Sequence, residues 1–460
     1  MTARWGDGAA PEAAMIPWAT RFELRQYLKG SLWVLPLFGG LLGVLLAQAA
    51  LWADGATRLP SHWNYSPSTA SGVLTAIVGA MVALLGYVVT IGVLVVQQAT
   101  GTLSPRYMRL WYRDGLQKAV LATFAGTFTY AFALLRRVED DFVPDIGVTV
   151  AGVAVAVSLA LLLIYLDRFT HNLRPVAVAA LVGRSGQEVL ADWTAQVRAD
   201  GSEDRDVAAP RPGAPVLQVR AVRAGAMQAV NLGALLAAAE RHDCTIVLAR
   251  TVGDFVTVGT TVIEVHGRTP PPAPHLRALV ALGRERTIEQ DPAFAMRVLV
   301  DIAIKALSPA INDPTTAVQV LDHIEAFLEV AVSTELRGRY TLVDRAGVLR
   351  VVVPGRGWED YLQLAVTEIR DYGAGSTQVC RRLRALLDGL LQTVSAERRP
   401  AVQDEICRLD AAVEIAFPDA RTRAVALGSD RQGIGGRTGD VTASSPGGRW
   451  GGGANGHGRA

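Results

Sequence analysis

Gly72–Val96 reads GVLTAIVGAMVALLGYVVTIGVLVV. No Asp, Glu, Lys or Arg interrupts it, and it exceeds the roughly 20 residues an α-helix needs to cross a bilayer. A soluble helix of this length would show a charged face. Outward from it, Ser31–Trp52, Ala119–Leu135 and Ile146–Leu166 are equally free of those four residue types. The four stretches predict four transmembrane helices in the first third of the chain. The expected fold class is a membrane all-α domain of four helices, joined to a cytoplasmic α+β domain that is mostly helical with a small β-module.

Composition agrees with this division. The 460 residues have a mean hydropathy of +0.25, the average of a very apolar front and an ordinary remainder. The formal net charge of +2 is spread unevenly. Cys244, Cys380 and Cys407 lie far apart with no metal or redox spacing, and read as small core residues. About thirty residues precede the first apolar run, so that run reads as an uncleaved signal anchor.

Lys and Arg in the short loops set the expected orientation. Arg21, Arg25 and Lys29 precede the first span. Arg106, Arg109, Arg113 and Lys118 lie between the second and third, and Arg168, Arg174 and Arg184 follow the fourth. The other two loops hold only Arg58, and Arg136 with Arg137. A multi-pass protein of the cytoplasmic membrane with both termini cytoplasmic is expected.

The chain then divides into six parts. Residues 1–30 form a cytoplasmic N-terminal segment, and 31–168 the four-helix membrane domain. Residues 169–213 form a polar segment and linker, and 214–274 a small α/β module. Residues 275–425 form a helical cytoplasmic domain, and 426–460 a Gly-rich tail without an apolar face, expected to be disordered. Pro36 predicts a kink in the first span. Ser104-Pro105 opens a short amphipathic helix at the membrane interface, with Arg106, Arg109 and Arg113 on one face and Trp111 on the other side. Val216–Val222 and Cys244–Ala249 read as strands around a helix at Gly233–Arg241, and Val252–Val265 as a hairpin turning at Gly253-Asp254 and Gly259. Helices are expected at Pro292–Leu307, Pro314–Val332, Trp358–Asp371, Ser376–Thr393 and Pro400–Phe417, with a strand at Val348–Val353.

The densest polar block runs from Gly283 to Thr316. Thr287 and Gln290 have capping-box spacing. Asp291-Pro292 and Asp313-Pro314 are cap-plus-proline helix starts. Asp301 and Lys305 stand as an i, i+4 pair. Capping explains Thr287, Gln290, Asp291 and Asp313. It explains Arg284, Arg286, Lys305, Asn312, Thr315 and Thr316 less well, and two helix N-termini with nearby cations would suit a small anionic ligand, with Ser308 counted among the candidate site residues. Capping alone and a ligand-binding or regulatory site both stand as readings of the block.

The same block carries a resemblance. Gly283-Arg284-x-Arg286-Thr287-x-x-Gln290-Asp291 and Val300-Asp301-Ile302-Ala303-x-x-Ala306-Leu307-Ser308-Pro309-x-Ile311-Asn312-Asp313-Pro314-x-Thr316-Ala317 are similar to the signature of a bacterial family of predicted membrane proteins, DUF2254. Ser104-Pro105-Arg106, Thr127-Phe128 and Gly253-Asp254-Phe255-Val256 also resemble it, over about Leu28 to Arg423. The first of the family's usual polar pair before the Ser-Pro-Arg motif is replaced here, by Thr100-Gly101-Thr102. The resemblance implies four spans and a cytoplasmic C-terminal domain, and brings no activity with it.

In the second span, Gly72, Ala76, Gly79, Ala83, Gly86 and Thr90 recur at alternating four and three, along one helix face. Ala119, Ala122, Gly126, Thr129 and Ala133 do the same in the third. Small residues let helices approach closely in lipid. The stripes therefore pack helices within one chain, or the second lines a narrow pore in a homo-oligomer. Without intramembrane charges, proton-coupled carriers and voltage sensors are excluded. No nucleotide, zinc-protease, serine-hydrolase or paired-cysteine signature is present, so no enzyme, metal or cofactor is expected. Nucleic-acid binding would need a basic stripe with aromatics, which is absent. The expected partners are the lipid bilayer, further copies of the chain and a small anion. The first functional expectation is an oligomeric passive channel with a regulatory cytoplasmic domain. The alternative is a non-conducting membrane-anchored sensor or scaffold.

Overall fold

The computed structural model describes residues 17–56, 64–102, 115–172, 174–199 and 213–435. Helix α1 (Trp18–Gly30) precedes four long helices: α2 (Val34–Ala56), α3 (Pro67–Thr102), α4 (Gly115–Leu135) and α5 (Asp145–Asn172). All four are long and apolar enough to cross a membrane. Pro36 falls in the first turn of α2, where its missing N–H has no intrahelical partner to lose. The expected kink there has no cause.

Glycine decides how the bundle packs. Gly39 and Gly43 of α2 lie directly on the backbone of Ala122 and Gly126 of α4, leaving no room for a Cβ at either. Thr129 Oγ1 donates to Gly40 O across the contact, at 2.8 Å. This is small-residue packing sealed by an interhelical hydrogen bond. The stripe predicted in the third span is thus used within the chain. Thr127 and Ser158 hydroxyls, 3.2 Å apart, link α4 to α5. At the far end, the Asp54 carboxylate accepts from the N–H groups of Ile146 and Gly147, at 2.8 and 3.1 Å. It satisfies two of the orphan donors that open α5.

The stripe on α3 behaves otherwise. Ala70, Leu74, Ile77, Met81, Val88, Ile91 and Val95 face the bundle and are buried. Gly72, Ala76, Gly79, Ala83, Gly86 and Thr90 lie on the opposite face, all exposed. Among the described residues, none comes within 4 Å of the position a Cβ would take at Gly72, Gly79 or Gly86. Packing within one chain, one of the two readings of this stripe, does not account for it.

Beyond the bundle, α6 (Pro175–Ala199) occupies most of the stretch expected to be a polar segment and linker. Its Val178, Ala179, Val182 and Leu190 are buried in the main helical core. Next come β1 (Leu217–Arg220), β2 (Gly225–Val230), α7 (Leu232–Arg241), β3 (Cys244–Leu248), β4 (Phe255–Val256), β5 (Thr261–Gly267), α8 (Ala273–Arg277) and β6 (Val280–Gly283). Helices α9 (Pro292–Ala306) and α10 (Pro314–Val332) follow, then strands β7 (Arg339–Val343) and β8 (Leu349–Pro354). Four helices end the described chain: α11 (Trp358–Gly373), α12 (Thr377–Thr393), α13 (Arg399–Ala416) and α14 (Ala420–Ala426).

The strands form two sheets, in the orders β1-β5-β3-β8-β7 and β4-β2-β6. Three expectations are corrected here. Val252–Val265 is not a hairpin, because β4 pairs with β2 while β5 pairs with β1 and β3. The boundary at residues 274 and 275 is crossed: β6 joins the second sheet, and β8 pairs parallel to β3 in the first. Residues 426–435, expected to belong to a disordered tail, are part of the fold. Asp430 is buried, accepts from the N–H groups of Gln432, Gly433 and Gly435, and faces Arg381 at 3.7 Å.

The helical core gathers α6 and α9 through α14 around Phe327, Leu321, Ile302 and Leu386. Arg381 and Arg382 are buried. Arg382 pairs with Asp322 and Glu325 of α10. The Arg398 guanidinium donates to the carbonyls of Ala331, Val332 and Thr334, and so closes the C-terminus of α10.

Candidate functional site at the junction of sheet and helices

The polar block is divided by α9, whose fifteen residues span about 22 Å. Arg284, Arg286, Thr287, Gln290 and Asp291 lie at its N-terminal end. Lys305, Ser308, Asn312, Asp313 and Thr316 lie at its C-terminal end. The two helix N-termini therefore do not converge. Each already holds its own carboxylate: Asp291 Oδ1 accepts from Phe294 N, and Asp313 Oδ1 from Thr316 N, both at 3.0 Å. Those carboxylates occupy the positions a bound anion would take.

At the C-terminal end, Ser308 Oγ donates to Lys305 O at 2.7 Å. Asn312 takes a left-handed φ of +50° and is exposed. Asp313 Oδ2 also accepts the Thr316 hydroxyl. This end is a turn and a cap. Asp301 pairs one turn back with Arg297 at 2.6 Å. Arg297 reaches on to Glu368 of α11, which ties α9 to its neighbour.

The N-terminal end is built differently. Arg286 donates through Nε and Nη2 to Asp291 Oδ2, at 2.9 and 2.6 Å, and its guanidinium lies 5.2 Å from the centre of the Phe294 ring. Gln290 accepts from Val230 N at 2.8 Å and donates to Val230 O at 3.3 Å, like one more residue of strand partner for β2. Gly253, at φ +98°, packs directly on Arg286 and Asp291. A side chain there would meet both an unfavourable backbone and an occupied space. Two separate motifs, Gly253-Asp254 and Arg284–Asp291, thus meet at one point. Asp254 holds the turn, accepting from Thr251 N at 3.0 Å.

Behind this pair lies a cavity of ≈ 40 Å³, lined among others by Trp193, Thr251, Gln290, Asp291, Tyr340, Arg356 and Tyr361. It has room for water, and falls far short of the roughly 300 Å³ at which small-molecule pockets begin. Burial pushes the Asp291 carboxyl above its usual range, with Arg286 opposing the shift. Burial likewise raises the Tyr361 phenol, and the Asp291 charge adds to it. Among the described residues no group of three or more His, Cys, Asp and Glu side chains could hold a metal ion. Of the lining residues, only Gln290 and Asp291 stood out in the sequence. Arg284 is exposed. The interface residues Arg106, Arg109, Trp111 and Arg113 lie outside the described residues.

Four charge-poor helices, each long and apolar enough to cross a membrane, followed by a unit of two sheets and a helical core, are the architecture of a predicted membrane protein. Residues 29–389 match the family described as predicted membrane protein (DUF2254), and the chain belongs to that family. It is 34% identical over 430 residues to the uncharacterized protein Mb1321c of Mycobacterium bovis, covering 89% of this chain and 81% of the relative. The uncharacterized protein Rv1290c of Mycobacterium tuberculosis matches at the same 34% identity, with 89% of this chain and 81% of the relative covered. No solved structure matches.

Proposed function

We propose that the protein is a non-enzymatic, oligomeric, passive channel-like protein of the cytoplasmic membrane, assembled through α3, with both termini and the soluble domain in the cytoplasm. One observation carries this reading. Leu74, Ile77, Met81, Val88, Ile91 and Val95 of α3 turn to the bundle, while Gly72, Ala76, Gly79, Ala83, Gly86 and Thr90 form a small-residue line on the outward face, beside exposed Val82, Tyr87, Val89 and Leu94. A face meant only for lipid gains nothing from small residues, whereas a face meeting another helix gains close approach. Repeated around an axis, the six positions give a narrow, uncharged wall of the kind that gates by dewetting. The Lys and Arg bias of the loops supports the orientation.

Ion flux through the purified protein in liposomes tests this, wild type beside Gly79→Leu. Flux in the wild type that the variant lacks, while still folded and oligomeric, supports the pore. No flux under voltage, tension or osmotic challenge removes it. A second reading, a non-conducting sensor or scaffold, draws on the junction at Asp291. There a small anion or a partner segment would engage Arg284, Arg286 and Arg356 only after the sheet unit swings away from α9, since the closed cavity is too small for more than water.

A further inference from the structure

We propose that α1 is an interfacial helix whose open apolar face rests on an anionic bilayer surface, holding the three-stranded sheet against the membrane. The helix has two apolar faces. Ala19 and Phe22 are buried against Ala229 of β2 and Ala281 of β6, with Trp18 stacked on Phe22 at 5.6 Å. Ala19 N also donates to Ala278 O at 3.0 Å. On the other side Leu24, Tyr27 and Leu28 are 47%, 57% and 45% exposed. At about 100° per residue these three fall opposite Phe22 and Ala19. Arg21, Arg25 and Lys29, all exposed, run every fourth residue along the flank between the faces.

A helix that only served the soluble core would need one apolar stripe. The second stripe, bordered by cations, is the pattern of a helix lying in the headgroup layer. Continuity with the spans identifies the occupant as the bilayer. Only Ser31, Leu32 and Trp33 separate α1 from membrane helix α2. Lys118 Nζ, in the first turn of α4, donates to the carbonyls of Leu28 and Lys29. The end of the open face is therefore held where two spans begin. Trp33, 57% exposed, adds an aromatic of the interfacial type. Charge complementarity points the same way. The one acid of α1, Glu23, is turned to Arg223 of the sheet unit, so it does not repel a headgroup phosphate. Each cation close to an anionic leaflet contributes attraction that salt weakens.

The test uses the full chain with Cys407→Ser, since Cys244 and Cys380 are buried, and a single label site at Leu28→Cys or, independently, Leu24→Cys. An environment-sensitive fluorophore is attached, and the protein is reconstituted into phosphatidylcholine vesicles with or without phosphatidylglycerol. The expected result is quenching by lipids carrying a shallow spin label, stronger with phosphatidylglycerol and shielded from aqueous iodide. Replacing Arg21, Arg25 and Lys29 together by Gln should abolish the phosphatidylglycerol dependence. Full access to iodide at both sites would overturn the proposal. So would shielding that follows the protein-to-lipid ratio and ignores the spin-labelled lipid, because the occupant would then be a second copy.

Discussion

Arg286 places two N–H groups on a single oxygen of Asp291, and the other oxygen of Asp291 closes the N-terminus of α9. One buried carboxylate thus serves the helix cap and the junction of sheet and helices. Removing it harms both. Asp291→Ala should cost about 3 kcal/mol, from a lost cap and a cation left beside an empty cavity. Asp291→Asn keeps the cap oxygen and should cost clearly less. Thermal unfolding of the two variants in detergent measures the difference, and equal losses would show that the pair with Arg286 dominates.

Gly253 tests the same junction from the sheet side. Its φ of +98° disfavours any L side chain, and its Cβ position is already filled by Asp291 and Arg286. Gly253→Ala should therefore destabilise by more than the roughly 1 kcal/mol of backbone strain alone. Because the collision falls on Asp291, combining it with Asp291→Ala should give less than the sum of the two. A double-mutant cycle by thermal unfolding reads the coupling, and strict additivity would separate the two sites.

The membrane helices give a paired prediction. Gly43 faces the α4 backbone with no spare room, whereas Gly79 faces outward with none of the described residues within 4 Å of its Cβ position. Gly43→Leu should break the α2–α4 contact at a cost of about 3 kcal/mol or more. Gly79→Leu should leave the stability of one chain within about 0.5 kcal/mol while weakening self-association. Detergent melting curves beside mass photometry in nanodiscs separate these effects. A Gly79→Leu protein that melts early would mean that the stripe packs within the chain after all.

Much of this architecture was legible in the sequence, for identifiable reasons. Spans show because they lack charge over their whole length. The starts of α9 and α10 show because Asp-Pro joins a cap to a residue that needs no N–H partner. Strand β2 did not show: Gly225–Val230 is buried at every position, so it carries no alternation. Strand β8 was legible as a strand, but its parallel pairing with the distant β3 was not. The small-residue spacing of α3 and α4 was equally clear in both, but spacing names a face and not its neighbour. Gly39 and Gly43, the actual partners of α4, lay unnoticed inside a Leu-rich run. At the candidate site the Asp291 and Asp313 caps were readable from local spacing, whereas the capping box expected of Thr287 and Gln290 is not formed, the Gln290 amide going to Val230 instead. The meeting of Gly253 with Asp291 depends on how two sheets lie against a helix, which no local pattern encodes.

His323 predicts a pH dependence. Its Cβ packs against Gly183 of α6. Burial pushes the imidazole below its usual value, Asp322 pulls it back up and Arg184 reinforces the fall. A base whose folded-state pKa is depressed favours the neutral form in the folded chain. Its contribution is complete above the unfolded value of about 6.5 and erodes as pH falls below it, because the unfolded chain takes up the proton first. The melting temperature should drop between about pH 7 and about pH 5, and His323→Gln should flatten that slope. An unchanged slope would assign the acid sensitivity to other groups.

Asp430 predicts that the stretch after α14 is a working part of the helical core. Its carboxylate accepts from the N–H groups of Gln432, Gly433 and Gly435 at 3.1, 3.0 and 3.0 Å, so it folds the chain back on itself. Gly433 then packs on Val318 of α10 at φ +66°, where a side chain would not fit, and its carbonyl accepts from Gln378 of α12. The turn thereby bridges two helices that also share the apolar core and the Arg382 ion pairs. Asp430→Ala removes three acceptor contacts and the charge facing Arg381, at a cost of about 2 kcal/mol. The loss should show first as local opening and not as global unfolding. Trypsin should cut after Arg431 faster in the variant, at temperatures where α10 and α12 stay intact. Unchanged cleavage at Arg431 would mean that the turn is held by Gly433 and Val318, with the carboxylate contributing little.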